Sequence, residues 1–124
     1  MIYDKKNIFA RIIRKEIPCS VVCETDFSLA LHDVHPQAPV HVLLIPKGEY
    51  INMGHFLNQA NTQEISDFFD VLARLPRLLN VQDTGYRLIA NAGPDARQEV
   101  PHFHIHLLAG EKLPLFKNGQ IVQD

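Results

Sequence analysis

The sequence predicts an α+β domain: an antiparallel sheet of about five strands with two helices. Three observations carry that reading. Two stretches place apolar residues at helical spacing, and five short apolar or alternating runs are bounded by turn residues. The order is helix, three strands, helix, two strands and a tail, so strands follow strands instead of alternating with helices. At 124 residues the chain can close one core without disulfide or metal staples. Residues 1–124 are read as a single domain with a tail from about 111–124.

Each element has a local cause. In "DKKNIFARIIRKE" the apolar residues Ile8, Phe9, Ile12 and Ile13 form one helical stripe, with Asp4 as N-cap and Pro18 as terminator. "SVVCET" and "SLALHDV" read as two strands joined by a turn around Asp26. "PVHVLLIPK", residues 39–47, is more hydrophobic and belongs at the centre of the sheet. Residues 49–60 show no clear period and are expected to form a loop. "NTQEISDFFDVLARL" has Asn61 and Glu64 at capping-box spacing and an apolar face at Ile65, Phe68, Phe69, Leu72 and Leu75. Pro76 removes a helix N–H and clashes with the Leu72 carbonyl, so a kink or break is expected there. "GYRLIANAG" and "VPHFHIHLLAG" are expected to pair antiparallel across the loop 93–100. In the tail, Asn118–Gly119 suits a type I′ hairpin.

Composition narrows the function. Apolar residues make up 46% and charged residues 21%, the usual balance of a soluble globular protein. A formal charge of −2 argues against nucleic-acid backbone binding, which needs a basic face, but leaves a small phosphorylated ligand open. Cys19 and Cys23 fall in one predicted strand, roughly 13 Å apart at the Cα atoms, too far for a disulfide. Free thiols and the lack of a signal peptide suggest a cytoplasmic protein. The apolar runs are too short to cross a bilayer, so no membrane partner is expected.

The chemistry concentrates in residues 100–110. His102, His104 and His106 alternate with Phe103, Ile105 and Leu107, so on a strand the imidazoles share one face and the apolar residues the other. Strict alternation of three histidines is a poor description of surface filler. Zinc is one reading: two of the three rings could chelate it, with His41 of the neighbouring strand as a further ligand. All three rings cannot easily reach one ion, because the outer Cα atoms lie roughly 13 Å apart on an extended chain. The row fits an extended phosphate better. Its middle ring can attack phosphorus while the others hold oxygens, since neutral imidazole is a nucleophile near neutral pH.

The run His102-Phe-His104-Ile-His106-Leu-Leu resembles the signature of the histidine-triad (HIT) family, and "IFARIIRKEIP", "ALHDVHPQAPVHVLLIPK" and "GYRLIANAG" resemble successive blocks of its Hint branch, the histidine-triad nucleotide-binding proteins. The likeness runs from about residue 7 to residue 110, is weak over 49–80 and leaves the tail unassigned. It implies a HIT-like fold paired as a homodimer, purine-nucleotide binding, and hydrolysis of nucleoside phosphoramidates through a nucleotidyl-histidine. By position it implies that His104 is the nucleophile, with His102, His106 and His41 around it. It also implies that Asp33 receives the ribose hydroxyls and that Ile8, Phe9, Leu31 and Val34 hold the base. Asn91 and the segment Gln98, Glu99 and Val100 would face the phosphate, with protonated His106 offsetting its charge. His32, His35 and His55 are left as structural or solvent-facing. No metal is required under this reading; zinc is the rival and is not favoured. The rival functions are a nucleotide sensor or scaffold with little turnover, and a diadenosine polyphosphate hydrolase or nucleotidyltransferase.

The chain also departs from the family pattern. Ala96–Arg97 stands where members often carry Gly-Gly, and Glu99 where some carry a serine. The tail lacks the tryptophan and Pro-Pro stretch of many eukaryotic members. These differences leave the leaving amine open.

Overall fold

The computed structural model describes residues 2–117 and 120–121. Five strands form one sheet: β1 Val21–Glu24, β2 Ser28–His32, β3 Val40–Pro46, β4 Tyr86–Ile89 and β5 Ile105–Ala109. Their order across the sheet is β1-β2-β3-β5-β4, and every neighbouring pair is antiparallel. Three helices accompany them: α1 Ile8–Ile13, α2 Met53–Gln59 and α3 Thr62–Leu78. A short antiparallel pair, β6 Phe116–Lys117 and β7 Gln120–Ile121, closes the described tail. The turn expected at Asn118–Gly119 lies outside the described residues.

The sheet is covered on both faces. Val42 and Leu44 pack with Phe56, Phe68, Val71 and Leu75 of α2 and α3. Leu43 and Ile45, pointing the other way, pack with Phe9 and Ile12 of α1. Burial on both faces explains why β3 reads as a continuous apolar run. His41 interrupts that run on the α1 side.

The structure corrects several expectations. Residues 49–60 are not all loop, because α2 occupies most of them and raises the helix count from two to three. Its cause is local: Asn52 caps it by accepting from the His55 N–H at 2.9 Å, and Phe56 is its only fully buried side chain. One anchor makes no period. The N-cap of α1 is Asn7, not Asp4; Asn7 Oδ1 accepts from the Ala10 N–H at 2.9 Å, while Asp4 caps Lys6 one turn earlier.

Helix α3 starts at the predicted capping box, with both Asn61–Glu64 bonds made. It continues unbroken through Pro76 to Leu78. The proline sits in the last turn, so it removes one bond to the Leu72 carbonyl. The next carbonyls are used, by Leu79 N–H on Leu75 and Val81 N–H on Pro76. Cys19 precedes β1, so the two free cysteines do not share a strand.

Candidate active site

Strand β5 begins at Ile105, so of the three histidines only His106 lies on it. His102 and His104 occupy the segment just before it. The alternation still holds: Phe103, Ile105 and Leu107 are buried in the α2/α3 core, while the imidazoles lie on the α1 side with His41.

The hydrogen bonds assign a tautomer to each ring. The ring of His104 has its Nδ1 2.7 Å from the His102 carbonyl, which can only accept, so Nδ1 carries the hydrogen and Nε2 keeps a free lone pair. His102 has Nε2 2.7 Å from the Pro46 carbonyl and Nδ1 2.6 Å from the Tyr3 hydroxyl. Its Nε2 therefore donates and its Nδ1 accepts, leaving neither for a ligand. His41 Nδ1 accepts from the Gln37 backbone N–H at 3.0 Å, so its Nε2 carries the hydrogen. That Nε2 lies 2.9 Å from His106 Nδ1 and 3.4 Å from an Asp33 carboxylate oxygen. His106 Nδ1 accepts, which leaves its own Nε2–H as a donor.

Burial supports this pattern. It pushes His102 and His106 down to about 4, with the neighbouring rings adding to the effect, and it lowers His104. It lowers His41 as well, against the opposing pull of Asp33. Burial thus favours the neutral form of all four imidazoles, most strongly for His102 and His106. The expectation of a protonated His106 is therefore corrected, since His106 can donate but brings no positive charge.

Around the rings the expected base-pocket residues divide. Phe9 is buried edge-on to His104, with centroids 5.0 Å apart, and Leu31 is buried beside it in the same cluster. Ile8 and Val34 are exposed at 45% and 79%, large apolar surfaces facing water. Asp33 accepts from the His35 N–H at 2.8 Å through one oxygen, while the other faces His41. His32 and His35 are exposed, and His55 Nδ1 accepts from the Ile51 N–H at 2.8 Å.

On the far side, a 3-10 turn at Pro94–Ala96 is followed by Arg97 in the left-handed region, φ 58°. The Gln98 side chain accepts from Gly93 N–H at 3.0 Å and donates to the Ile51 and Val100 carbonyls at 2.6 and 3.0 Å. Both amide hydrogens are thus spent on the loop, and the Gln98 backbone N–H donates to the Gly93 carbonyl. Glu99 is exposed; Asn91 and Val100 are half-buried. Sequence reasoning missed Tyr3 and Gln37. Tyr3 falls outside every quoted block, and Gln37, though inside one, acts through its backbone N–H.

A HIT domain model matches residues 14–113. The chain belongs to the HIT family. It is 48% identical to an uncharacterized 13.2 kDa HIT-like protein of Azospirillum brasilense, covering 94% of this chain and 97% of that one. A 14 kDa zinc-binding protein of Zea mays is 38% identical over 89% of this chain and 86% of its own. Among solved structures, a HIT family hydrolase from Clostridium thermocellum superposes with TM-score 0.80 at 36% identity, covering 90% and 96% of the two chains. A histidine triad nucleotide-binding protein from Candida albicans superposes with TM-score 0.74 at 29% identity, covering 91% and 86%.

The maize protein's name makes zinc worth testing against this HIT domain's geometry. Among the described residues, Asp33, His41 and His106 bring three ligand atoms within 4.8 Å of one another. Only one triad member takes part, not the two expected. The donor set does not fit as arranged. A neutral imidazole binding metal through Nε2 must carry its hydrogen on Nδ1, yet His41 Nδ1 already accepts the Gln37 N–H. The 2.9 Å contact is a hydrogen bond between the two nitrogens that an ion would have to separate.

Proposed function

We propose that this HIT protein hydrolyses purine nucleoside phosphoramidates, as a member of the Hint branch, through a covalent nucleotidyl-His104. The observation that carries the reading is the His104 tautomer. Its Nδ1–H is committed to the His102 carbonyl, so the free lone pair is on Nε2. The relatives named a hydrolase and a nucleotide-binding protein support the same class of chemistry.

His104 Nε2 attacks the α-phosphorus and the phosphorus–nitrogen bond breaks. The amine leaves with a proton drawn from solvent. The ring, now bonded to phosphorus, is positively charged, and its retained Nδ1–H strengthens against the His102 carbonyl. His106 Nε2–H and the backbone N–H groups of Glu99 and Val100 are the donors assigned to the phosphoryl oxygens. Water then attacks phosphorus and gives a proton back to solvent, the His104–phosphorus bond breaks, and nucleotide leaves with neutral His104 restored. No step needs a metal. Phe9 and Leu31 supply the base's apolar wall, rimmed by Ile8 and Val34, and Asp33 takes the ribose hydroxyls. Edge strand β4, with Tyr86 and Leu88 exposed, supports pairing of two copies.

The test is a single-turnover reaction of an adenosine 5′-phosphoramidate with the protein and with His104→Ala, quenched and read by mass spectrometry. A nucleotidyl adduct on His104, absent from the variant, is the expected result. Nucleotide binding with neither adduct nor turnover would replace the hydrolase with a sensor.

A further inference from the structure

His102 is fully buried, with both ring nitrogens engaged, so its imidazole cannot meet a substrate. Its backbone carbonyl, however, holds the Nδ1–H of His104 at 2.7 Å and so sets where the free Nε2 points. What fixes residue 102 therefore aims the nucleophile. One clamp is Pro46, whose carbonyl accepts from Nε2–H. The other side-chain clamp, beside the backbone bonds at His102 and Phe103, comes from 99 positions away, the hydroxyl of Tyr3.

The geometry points to Tyr3 as a positioning residue: its O–H donates to His102 Nδ1 and, through residue 102, holds His104 in the attacking orientation. Tyr3 lies outside the stretch matched by the HIT domain model, residues 14–113. Its own place is secured by a short strap. Asn7 donates to the Asp4 carbonyl from both its side chain and its backbone, at 2.7 and 3.2 Å, and Arg14 donates to the Lys5 carbonyl at 2.8 Å. The strap leads directly into Phe9, whose ring meets both His102 and His104 edge-on. Without the hydroxyl, His102 keeps one anchor, its Nδ1 becomes a buried acceptor with no partner, and the ring turns to find one. The carbonyl that carries His104 is held on the backbone by His102 N–H on Val100 at 2.8 Å and Phe103 N–H on Tyr50 at 2.7 Å, so losing the side-chain clamp loosens residue 102 and lets the His104 ring sample its other tautomer.

The rate prediction rests on the hydrolase reading, whereas the spectroscopic one does not. The variant is Tyr3→Phe, with Ile2→Ala as control because Ile2 is 95% exposed. In protein with ¹⁵N-labelled histidine, Tyr3→Phe should shift His102 Nδ1 to an unbonded position and show His104 as a mixture of tautomers. In wild type and Ile2→Ala, His104 should be a single Nδ1–H form. The kcat of Tyr3→Phe should fall between about tenfold and a hundredfold, with KM little changed, as expected for a misplaced reacting group. An unchanged His104 spectrum would overturn the proposal even if the rate fell. A changed spectrum with wild-type kcat would overturn it too. If wild type itself shows no turnover, the hydrolase reading fails alone, and the His104 spectrum by itself upholds or overturns the positioning.

Discussion

Phe103, Ile105 and Leu107 alternate with His102, His104 and His106, yet the two sets are held by different physics. Phe103 forms a triangle with Phe56 and Phe68, with ring centroids 5.2 and 5.1 Å away, and Phe103, Ile105 and Leu107 are buried in one cluster. Their constraint is volume, which any side chain of similar shape can meet. The histidines are constrained by direction: each of their known bonds uses a particular nitrogen against a particular partner. One face should therefore yield to mutation in stability and the other in chemistry.

The largest test is the pair His104→Ala and Phe103→Ala. Removing His104 should lower turnover at least a thousandfold, about 4 kcal/mol in barrier, while nucleotide binding by isothermal titration calorimetry stays near wild type. Phe103→Ala should cost about 3–5 kcal/mol of stability in urea denaturation, because it empties a closed aromatic cluster. If the two variants exchanged these outcomes, the division of labour between the faces would be wrong.

A smaller effect comes from pH. Burial holds His102 and His106 at about 4, below the ordinary 6.5. Between those values the unfolded chain binds protons that the folded chain refuses. Stability is thus complete above about pH 6.5 and is lost as pH falls toward 4, on the order of 3 kcal/mol for His102 alone. Calorimetric melting across that window checks it. A flat profile would mean that the histidine face is as open to water as a surface.

The smallest test leaves both faces alone. Arg97 holds a left-handed backbone that glycine adopts at no cost. Arg97→Gly should raise stability by about 0.5–1 kcal/mol, the relief of strain less the added freedom of the unfolded chain. A loss in the same urea experiment would show that the guanidinium holds the loop more than its backbone strains it.

These contrasts also explain what the sequence made legible. The alternation in 102–107 assigned both faces even though the strand itself starts only at Ile105, because an extended backbone alternates with or without a partner strand. Asn61 and Glu64 announced α3, since capping is local in sequence. By contrast, α2 was hidden because Phe56 alone is its fully buried side chain. Pro76 does not break α3, because its effect depends on distance from the helix end, which the pattern of apolar residues did not fix. Tyr3 was unreadable: a bond across 99 positions leaves no local trace. Gln98, expected on the phosphate side, also fastens its own loop to Ile51, a bond across 47 positions that no local pattern announces.

The strand order β1-β2-β3-β5-β4 also schedules the molecule's assembly. Strand β4 has no partner until β5 arrives, and the outer edge of β3 stays open for just as long. A chain still being synthesised, with residues up to 89 outside the ribosome, holds Asp33 and His41 but lacks the three triad histidines, and its β3 edge is exposed to other chains. The insertion of one late strand ends that hazard and brings His106 into its hydrogen bond with His41 in the same event. A chain that stops at residue 89 lacks His104, so any activity that depends on that ring reports that β5 has been inserted.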